Sequence, residues 1–447
     1  MLNIMMAAVQ FFTIDPGHFH AALVQNRTYD GVSSEAVVYA PEGSELKSHL
    51  ALIDQFNSRK DSPTAWKETV YAGADFLERF VADAEKRGAA RNASDVVVLA
   101  GRNNVKPDYY LAAAEAGFNV LSDKPMAITA EDYMRLCEAA AVAKSKGRLF
   151  ADIMTERHEI TTILQRALSL RGDVYGAQEK GTVDDPAVTK ISVHHFCKLV
   201  NGKPLRRPAW YYDTKQQGEA IVDVTTHLTD LVQWELFPGV TLKRSDVKML
   251  AARTWTTPIT AADYEKSTGL KDWPAYLKGS IDKDNVLQCK ANGEFTYALK
   301  GVHAKVAVEW HFMPPAGGGD THYSLMRGSN AELVIRQGSR QGFKPVLYVK
   351  LRPGADRAKT GVALDKALAE IGRTYPGVKA VSAAGDEDGA EWKIDVPKVY
   401  DIGHEAHFSQ VMKQFLEWLK QGSMPEMERR NLLVKYHTLA EAWKMSR

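Results

Sequence analysis

The first third of the chain alternates short β-branched runs with amphipathic stretches. Val9 to Ile14 is a brief apolar run that stops at Asp15-Pro16-Gly17, as a buried strand entering a turn does, and Ala21 to Val24 opens a helix behind it. Glu35 to Ala40 is a second β-rich run, closed by Pro41 and Gly43. Asp95 to Ala100 is almost continuous valine and leucine, the pattern of a central parallel strand covered on both faces. Pro107 to Ala116 then reads as a helix ending at Gly117, Asn119 to Ser122 as a strand, Ala130 to Lys146 as a helix and Arg148 to Met154 as a last strand. This alternation predicts a doubly wound α/β Rossmann domain over residues 1–155.

Beyond residue 156 the pattern changes. Thr189 to Phe196, Lys248 to Thr256, Glu294 to Lys300, Lys305 to His311, Glu332 to Arg336 and Val346 to Leu351 are strand candidates with few helices between them. That predicts an α+β domain with a mainly antiparallel sheet over 156–447. Residues 352–400 are rich in Gly, Asp and Lys and read as part of an irregular insertion near 330–400. Two helices close the chain, one with Phe408, Val411, Met412 and Phe415 on a face, the other with Leu433, Tyr436, Leu439 and Trp443.

Composition narrows the function classes. With 57 basic and 55 acidic side chains the formal charge is +2, which gives no reason to expect nucleic acid as a partner. The apolar run from Ile4 to Phe12 is too short to span a bilayer, so no membrane insertion is expected. The cytoplasm is the expected compartment, or the periplasm where an export leader has been removed. Cys137, Cys197 and Cys289 lie far apart without metal spacing and read as reduced thiols.

Three constellations carry chemistry. Ser122-Asp123-Lys124-Pro125 follows a strand of the parallel sheet, and the proline keeps Lys124 from starting the next helix, so its ammonium stays at the carboxyl ends of the strands. Asp223-Val-Thr-Thr-His227-Leu-Thr-Asp230 opens a helix with a core stripe of Leu228, Leu231, Val232 and Leu236, and places its two carboxylates and the imidazole along the other side. A carboxylate beside an imidazole fixes its tautomer and raises its basicity, as a general base requires; an exposed histidine on a capped helix is the plainer alternative. The turn Asp15-Pro16-Gly17-His18-Phe19-His20 keeps the middle glycine of G-x-G-x-x-G and replaces the outer two. Its position before a helix suits a phosphate.

Together these features resemble the glucose–fructose oxidoreductase/inositol dehydrogenase (Gfo/Idh/MocA) family. Val98 to Pro125 is similar to that family's strand, helix and E-K-P segment, with Asp123 in place of the usual glutamate and Asn103 on the asparagine of its T-P-N turn. Gly218 to His227 is similar to its D-x-x-x-H segment. The resemblance implies Lys124, Asp223 and His227 as the catalytic set. It implies a nicotinamide dinucleotide against Asp15, Gly17, His18, Phe19, Ala40, Asn103 and Asp123. It also implies a homo-oligomer, dimer or tetramer. The opening D-P-G-H-F-H-A resembles the branch with a distinct oxidoreductase C-terminal domain, whose neighbourhood includes glucoside 3-dehydrogenases.

The second strand ends Tyr39-Ala40-Pro41 with no acid at the usual ribose-binding point, where Glu42 or Glu45 substitutes, and with no arginine. NAD is therefore expected, with NADP left open. Arg207-Pro-Ala-Trp210-Tyr211-Tyr-Asp213 offers an aromatic face and a carboxylate to a sugar ring, or else a buried aromatic cluster. Arg157 faces either the cleft or solvent, and His194 and His195 point to opposite faces of one strand, so at most one meets the site. His404-Glu-Ala-His407 lacks the H-E-x-x-H spacing, and no metal is expected. The expected activity is oxidation of a sugar or glycoside secondary hydroxyl, C3 of a glucoside, or the reverse. A redox-neutral NAD-dependent glycoside hydrolase and a non-catalytic sugar or dinucleotide sensor are the alternatives.

Overall fold

The computed structural model describes residues 8–88, 92–200, 203–204, 206–383 and 389–447; residues 4–7 of the apolar run beginning at Ile4 lie outside them. Two compact units result. The first takes the described residues up to Thr155, Lys215–Gly218 and His404–Ala440; the second takes Glu156–Thr214, Glu219–Gly403 and Glu441–Arg447. The closing helices, which one cut near residue 155 assigns wholly to the second domain, thus fall in the first as far as Ala440.

The first unit is built on six parallel strands: β1 (Phe11–Ile14), β2 (Glu35–Ala40), β3 (Lys67–Ala72), β4 (Val96–Leu99), β5 (Asn119–Ser122) and β6 (Phe150–Asp152). Their order is β3-β2-β1-β4-β5-β6, so the direction of winding reverses between β1 and β4. The helices are α1 (His20–Leu23), α2 (Ser44–Ser58), α3 (Phe76–Arg87), α4 (Lys106–Glu115) and α5 (Ala130–Ser145). Every residue of β4 is buried, as its valine run demands. Gly117, at φ +76°, ends α4 in the left-handed region that glycine adopts without strain. From the tail, α11 (His404–Gln421) sends Phe408, Met412 and Phe415 into the core around Phe11, Val98 and Leu121. Helix α12 (Glu426–Met445) buries Leu432, Val434, Tyr436 and Leu439, whereas Leu433 and Trp443 are only half-buried. Its buried surface is wider than one stripe and is centred a residue away from Leu433.

The second unit carries a nine-stranded sheet. Its strands are β7 (Val188–His195), β10 (Val247–Ile259), β11 (Leu287–Leu299), β12 (Val302–His311), β13 (Thr321–Arg327), β14 (Ala331–Gln337), β15 (Val346–Leu351), β16 (Lys379–Ser382) and β17 (Trp392–Asp395), while β8 (Leu199–Val200) and β9 (Lys203–Pro204) form a separate ribbon. The order is β10-β11-β12-β7-β13-β14-β15-β17-β16, antiparallel except that β7 and β12 run parallel. Helices α6 (Ile160–Ser169), α7 (Thr214–Gln217, which ends in the first unit), α8 (Thr225–Leu236), α9 (Ala261–Thr268) and α10 (Arg357–Ile371) complete the chain. The stretch read as an irregular insertion is therefore structured. Leu364, Ala367 and Leu368 of α10 share a core with Leu333, Ile335, Leu347 and Val349, and β17 and β16 extend the sheet.

Candidate active site

In the first unit the candidate cofactor residues gather at the point where the winding reverses. Asp15 ends β1 in the left-handed region, at φ +46°, and the Gly17 amide donates back to the Asp15 carbonyl at 2.7 Å. Gly101, after β4, lies so close that a Cβ there would stand 2.3 Å from the Asp15 carbonyl oxygen. The two turns touch through backbone, which only glycine at 101 allows. Helix α1 has four residues, too few for a sizeable macrodipole, so the turn's own amides rather than a helix end are what it offers an anion.

The Asp15 carboxyl is buried. Burial raises its pKa against the opposing pull of Arg102, 3.8 Å away, and of the Tyr109 hydroxyl, which donates to it at 3.1 Å. Arg102 also stands 3.6 Å from Glu45. An arginine therefore does reach the acid beyond β2 that stood in for the ribose-binding residue. It comes from the end of β4, which a search along β2 alone does not find.

Lys124 sits half-buried between buried Asp123 and Pro125 at the end of β5, and the Lys124–Pro125 peptide is cis. The segment is gripped by a residue that the pattern of the chain did not single out. Lys106, at the start of α4 and 1% exposed, donates from its ammonium to the Asn103 side-chain oxygen at 2.6 Å and to the carbonyls of Asp123 and Pro125 at 2.9 and 3.0 Å. The Asn103 amide donates in turn to the Gln217 carbonyl at 2.7 Å. From α12, the Tyr436 hydroxyl accepts the Met126 amide at 3.1 Å and donates to Asp152 at 2.9 Å. The only signal for Lys106 is its place three residues after Asn103, where a lysine usually means surface.

The Asp123 side chain accepts from His20 Nδ1 at 2.9 Å. Burial alone would raise that carboxyl, but the His20 ring that donates to it and the nearby Lys106 ammonium hold it well below the usual range. His20 is itself pushed down by burial, against the pull of Asp123, which suits a neutral ring donating Nδ1–H to a carboxylate. Phe19 packs beside both histidines, and Ala40 is buried at the end of β2.

In the second unit Asp223 and His227 stand at the start of α8, 4% and 8% exposed. The plainer alternative of an exposed histidine does not describe this helix. Its polar side is covered as fully as its apolar side, because charges are paired there. Arg157 grips Asp230 with two bonds, Nε to Oδ2 at 2.6 Å and Nη2 to Oδ1 at 2.8 Å. Lys190 of β7 meets Glu235 at 2.6 Å with both side chains fully buried, and Arg166 donates to the Trp234 carbonyl at 3.0 Å. Arg157 thus does not point freely into open solvent. It holds the helix that carries His227.

Trp210, Tyr211 and Tyr212 form a buried turn. The Arg207 guanidinium lies 4.6 Å from the Tyr211 ring centre and 5.4 Å from that of Trp310. Tyr212 stacks on Phe196, and the Tyr211 phenol is held up by burial and, to a lesser degree, by the charge of Asp223. The indole Nε1 of Trp210 finds no acceptor among the described residues. Asp213 is buried beside Cys289, whose thiol burial and that carboxylate push up to about 12. None of the three cysteines is in a disulfide. His194 stacks on Trp310 while His195 faces His311, so the two rings do lie on opposite faces of β7, although at the strand's end both reach Asp320, at 3.5 and 2.9 Å.

Residues 64–150 match the model of the "Oxidoreductase family, NAD-binding Rossmann fold", and residues 164–447 match that of the "Putative oxidoreductase C terminal domain". A crystal structure of a "putative oxidoreductase" from Parabacteroides merdae is 47% identical, covers 98% of each chain and superposes with a TM-score of 0.93. The chain belongs to the Gfo/Idh/MocA family. Like other oxidoreductases of this family it pairs a nucleotide-binding Rossmann domain with a mainly antiparallel sheet. More distant structures share the fold alone. An oxidoreductase domain protein from Kribbella flavida is 16% identical over 99% of this chain and 97% of its own, with a TM-score of 0.60. A 3-ketoreductase from Actinomadura kijaniata, crystallised with TDP-benzene and NADP, is 14% identical over 97% and 96%, with a TM-score of 0.54. No curated protein matches the chain significantly. Among the described residues no helix is long and apolar enough to cross a membrane.

Proposed function

We propose that this Gfo/Idh/MocA oxidoreductase oxidises a secondary hydroxyl of a sugar or glycoside, C3 of a glucoside, to the ketone, or runs the reverse reaction. The observation that carries the reading is His227, which is buried with Asp223 at the head of a helix held along its length by ion pairs. A histidine kept in such a place has a fixed ring and little contact with water, as a general base needs. His227 takes the hydroxyl proton. Asp223 orients the ring and stabilises its imidazolium form. Lys124 hydrogen-bonds the same oxygen and stabilises charge as the carbonyl develops. Trp210, whose indole N–H has no acceptor among the described residues, and Asp213 are the side chains offered to the other hydroxyls.

A nicotinamide dinucleotide, when bound, supplies the hydride acceptor. The residues fit it where the turns after β1 and β4 approach through Gly17 and Gly101, and Asp15, His18, Phe19, Ala40, Asn103 and Asp123 would line it. Arg102, brought to Glu45, removes the ground for preferring NAD over NADP. The NADP in the Actinomadura 3-ketoreductase supports testing both.

The test is turnover of a glucoside with either dinucleotide, followed by reduced-cofactor absorbance and by mass of the sugar. His227→Ala and Lys124→Ala should each lower turnover about a hundred-fold or more with dinucleotide affinity nearly intact. If the two act on one oxygen, the double variant loses far less than the product of the single losses. Near-normal turnover in both single variants would overturn the assignment, and release of free aglycone without lasting absorbance would establish glycoside cleavage instead.

A further inference from the structure

His18, His20 and Asp123 each offer one ligand atom such that all three atoms lie within 4.8 Å of one another. The two rings meet edge to face with centroids 4.1 Å apart, and His20 Nδ1 is 2.9 Å from Asp123 Oδ2. Two imidazoles and one carboxylate suit a borderline divalent ion of the first transition row, and supply too few oxygens for calcium or magnesium. At metal–ligand distances of about 2.1 Å, adjacent ligands of an octahedral ion lie about 3 Å apart. The His20–Asp123 spacing already meets that geometry.

We propose that the chain binds one such ion, of the zinc, nickel or cobalt class, through His18, His20 and Asp123. The ion takes the place of the proton on His20 Nδ1, which leaves to solvent; no electron moves. The support around the ligands is in place. Phe408 packs 4.6 Å from the His20 ring, and Lys106 holds the Asp123 backbone through its carbonyl, which fixes the direction of the side chain. The exposed His404, with its ring centroid 6.0 Å from that of His20, is a further imidazole that a rotamer change can bring in.

The site goes beyond the proposed activity, and its test needs no dinucleotide, so the two readings stand or fall separately. The full chain, stripped with a chelator, is titrated with cobalt(II) alone by calorimetry and by visible absorption. One ion per chain is expected, with imidazole nitrogen coupling in its magnetic resonance spectrum. His18→Ala, at a half-buried position that tolerates truncation, should weaken binding about ten-fold or more, as should Asp123→Asn, whereas His311→Ala in the second unit should not. Absence of binding, a spectrum without nitrogen ligands, or binding unchanged in both the His18 and Asp123 variants would each overturn the site. The wild-type spectrum decides the matter even where a variant fails to fold.

Discussion

Lys106 in the first unit and Lys190 in the second are buried to the same degree, yet they hold the candidate chemistry in different ways. Lys106 spends its three N–H donors on neutral acceptors, one amide oxygen and two backbone carbonyls, and thereby fixes the loop that carries Lys124. Lys190 meets a carboxylate, Glu235, and a serine hydroxyl, and thereby fixes the helix that carries His227. Burial pushes the Lys190 pKa down and the Glu235 pKa up, and their mutual attraction is the main influence that opposes it. The loop is held by direct bonds from one ammonium to dipoles, with the Asp123 charge farther off and partnered by His20; the helix is held by two charges that need each other. Loss of one partner should therefore cost the helix much more than the loop.

The largest expected effect follows directly. Lys190→Met leaves Glu235 uncompensated and should destabilise the protein by about 3–5 kcal/mol in urea unfolding, while adding Glu235→Leu should restore most of it. A single variant that costs as much as the double would break the contrast. His49 sharpens it next, as a buried ring whose two nitrogens have no partner among the described residues. Burial pushes its pKa down to about 4. The unfolded ring, near 6.5, takes up the proton first, so stability falls as pH drops through that value and on toward 4. Between pH 6.5 and 5 the loss is about 1.5 kcal/mol, and His49→Leu should remove that slope in melting curves taken across the range.

Lys106→Met should cost less, about 1–2 kcal/mol, since the three acceptors it leaves are neutral and Asp123, whose charge it steadies, keeps His20 as a partner. Its turnover should nonetheless fall about ten-fold, through displacement of Lys124. A large loss of stability with normal turnover would show that Lys106 serves the core and not the loop. At the other extreme Arg253, mostly exposed beside Glu294, shows pairing without burial, and Arg253→Ala should change stability by less than about 0.5 kcal/mol.

What could be read from the chain follows the same physics. The strand from Val96 announced itself because both of its faces are covered, so nothing but β-branched residues suits it. Edge strand β3, Lys-Glu-Thr-Val-Tyr-Ala, carries mixed residues that read as loop, and was missed. So was β13, whose half-buried Thr-His-Tyr end is polar enough to hide an inner strand. Lys124, Asp223 and His227 were legible because each lies inside a local segment. Lys106, Arg102 and the His20–Asp123 pair were not, since their meaning depends on contacts across long stretches of chain. The pair joins residues 103 positions apart. Arg157 was legible as a notable residue but not as a partner of Asp230, which lies on another element.

The return of residues 404–440 to the first unit bears on how the protein is made. Ribosomes deliver the strands of the Rossmann sheet first, but Phe408, Met412 and Phe415, which fill its core, emerge only after nearly the whole second unit. A nascent chain halted after β6 would therefore carry an uncovered apolar surface where α11 belongs, one that invites a chaperone. For the same reason the nucleotide-binding unit should not survive excision at residue 155, whereas a fusion of 1–155 to 404–440 through a short linker has the pieces it needs.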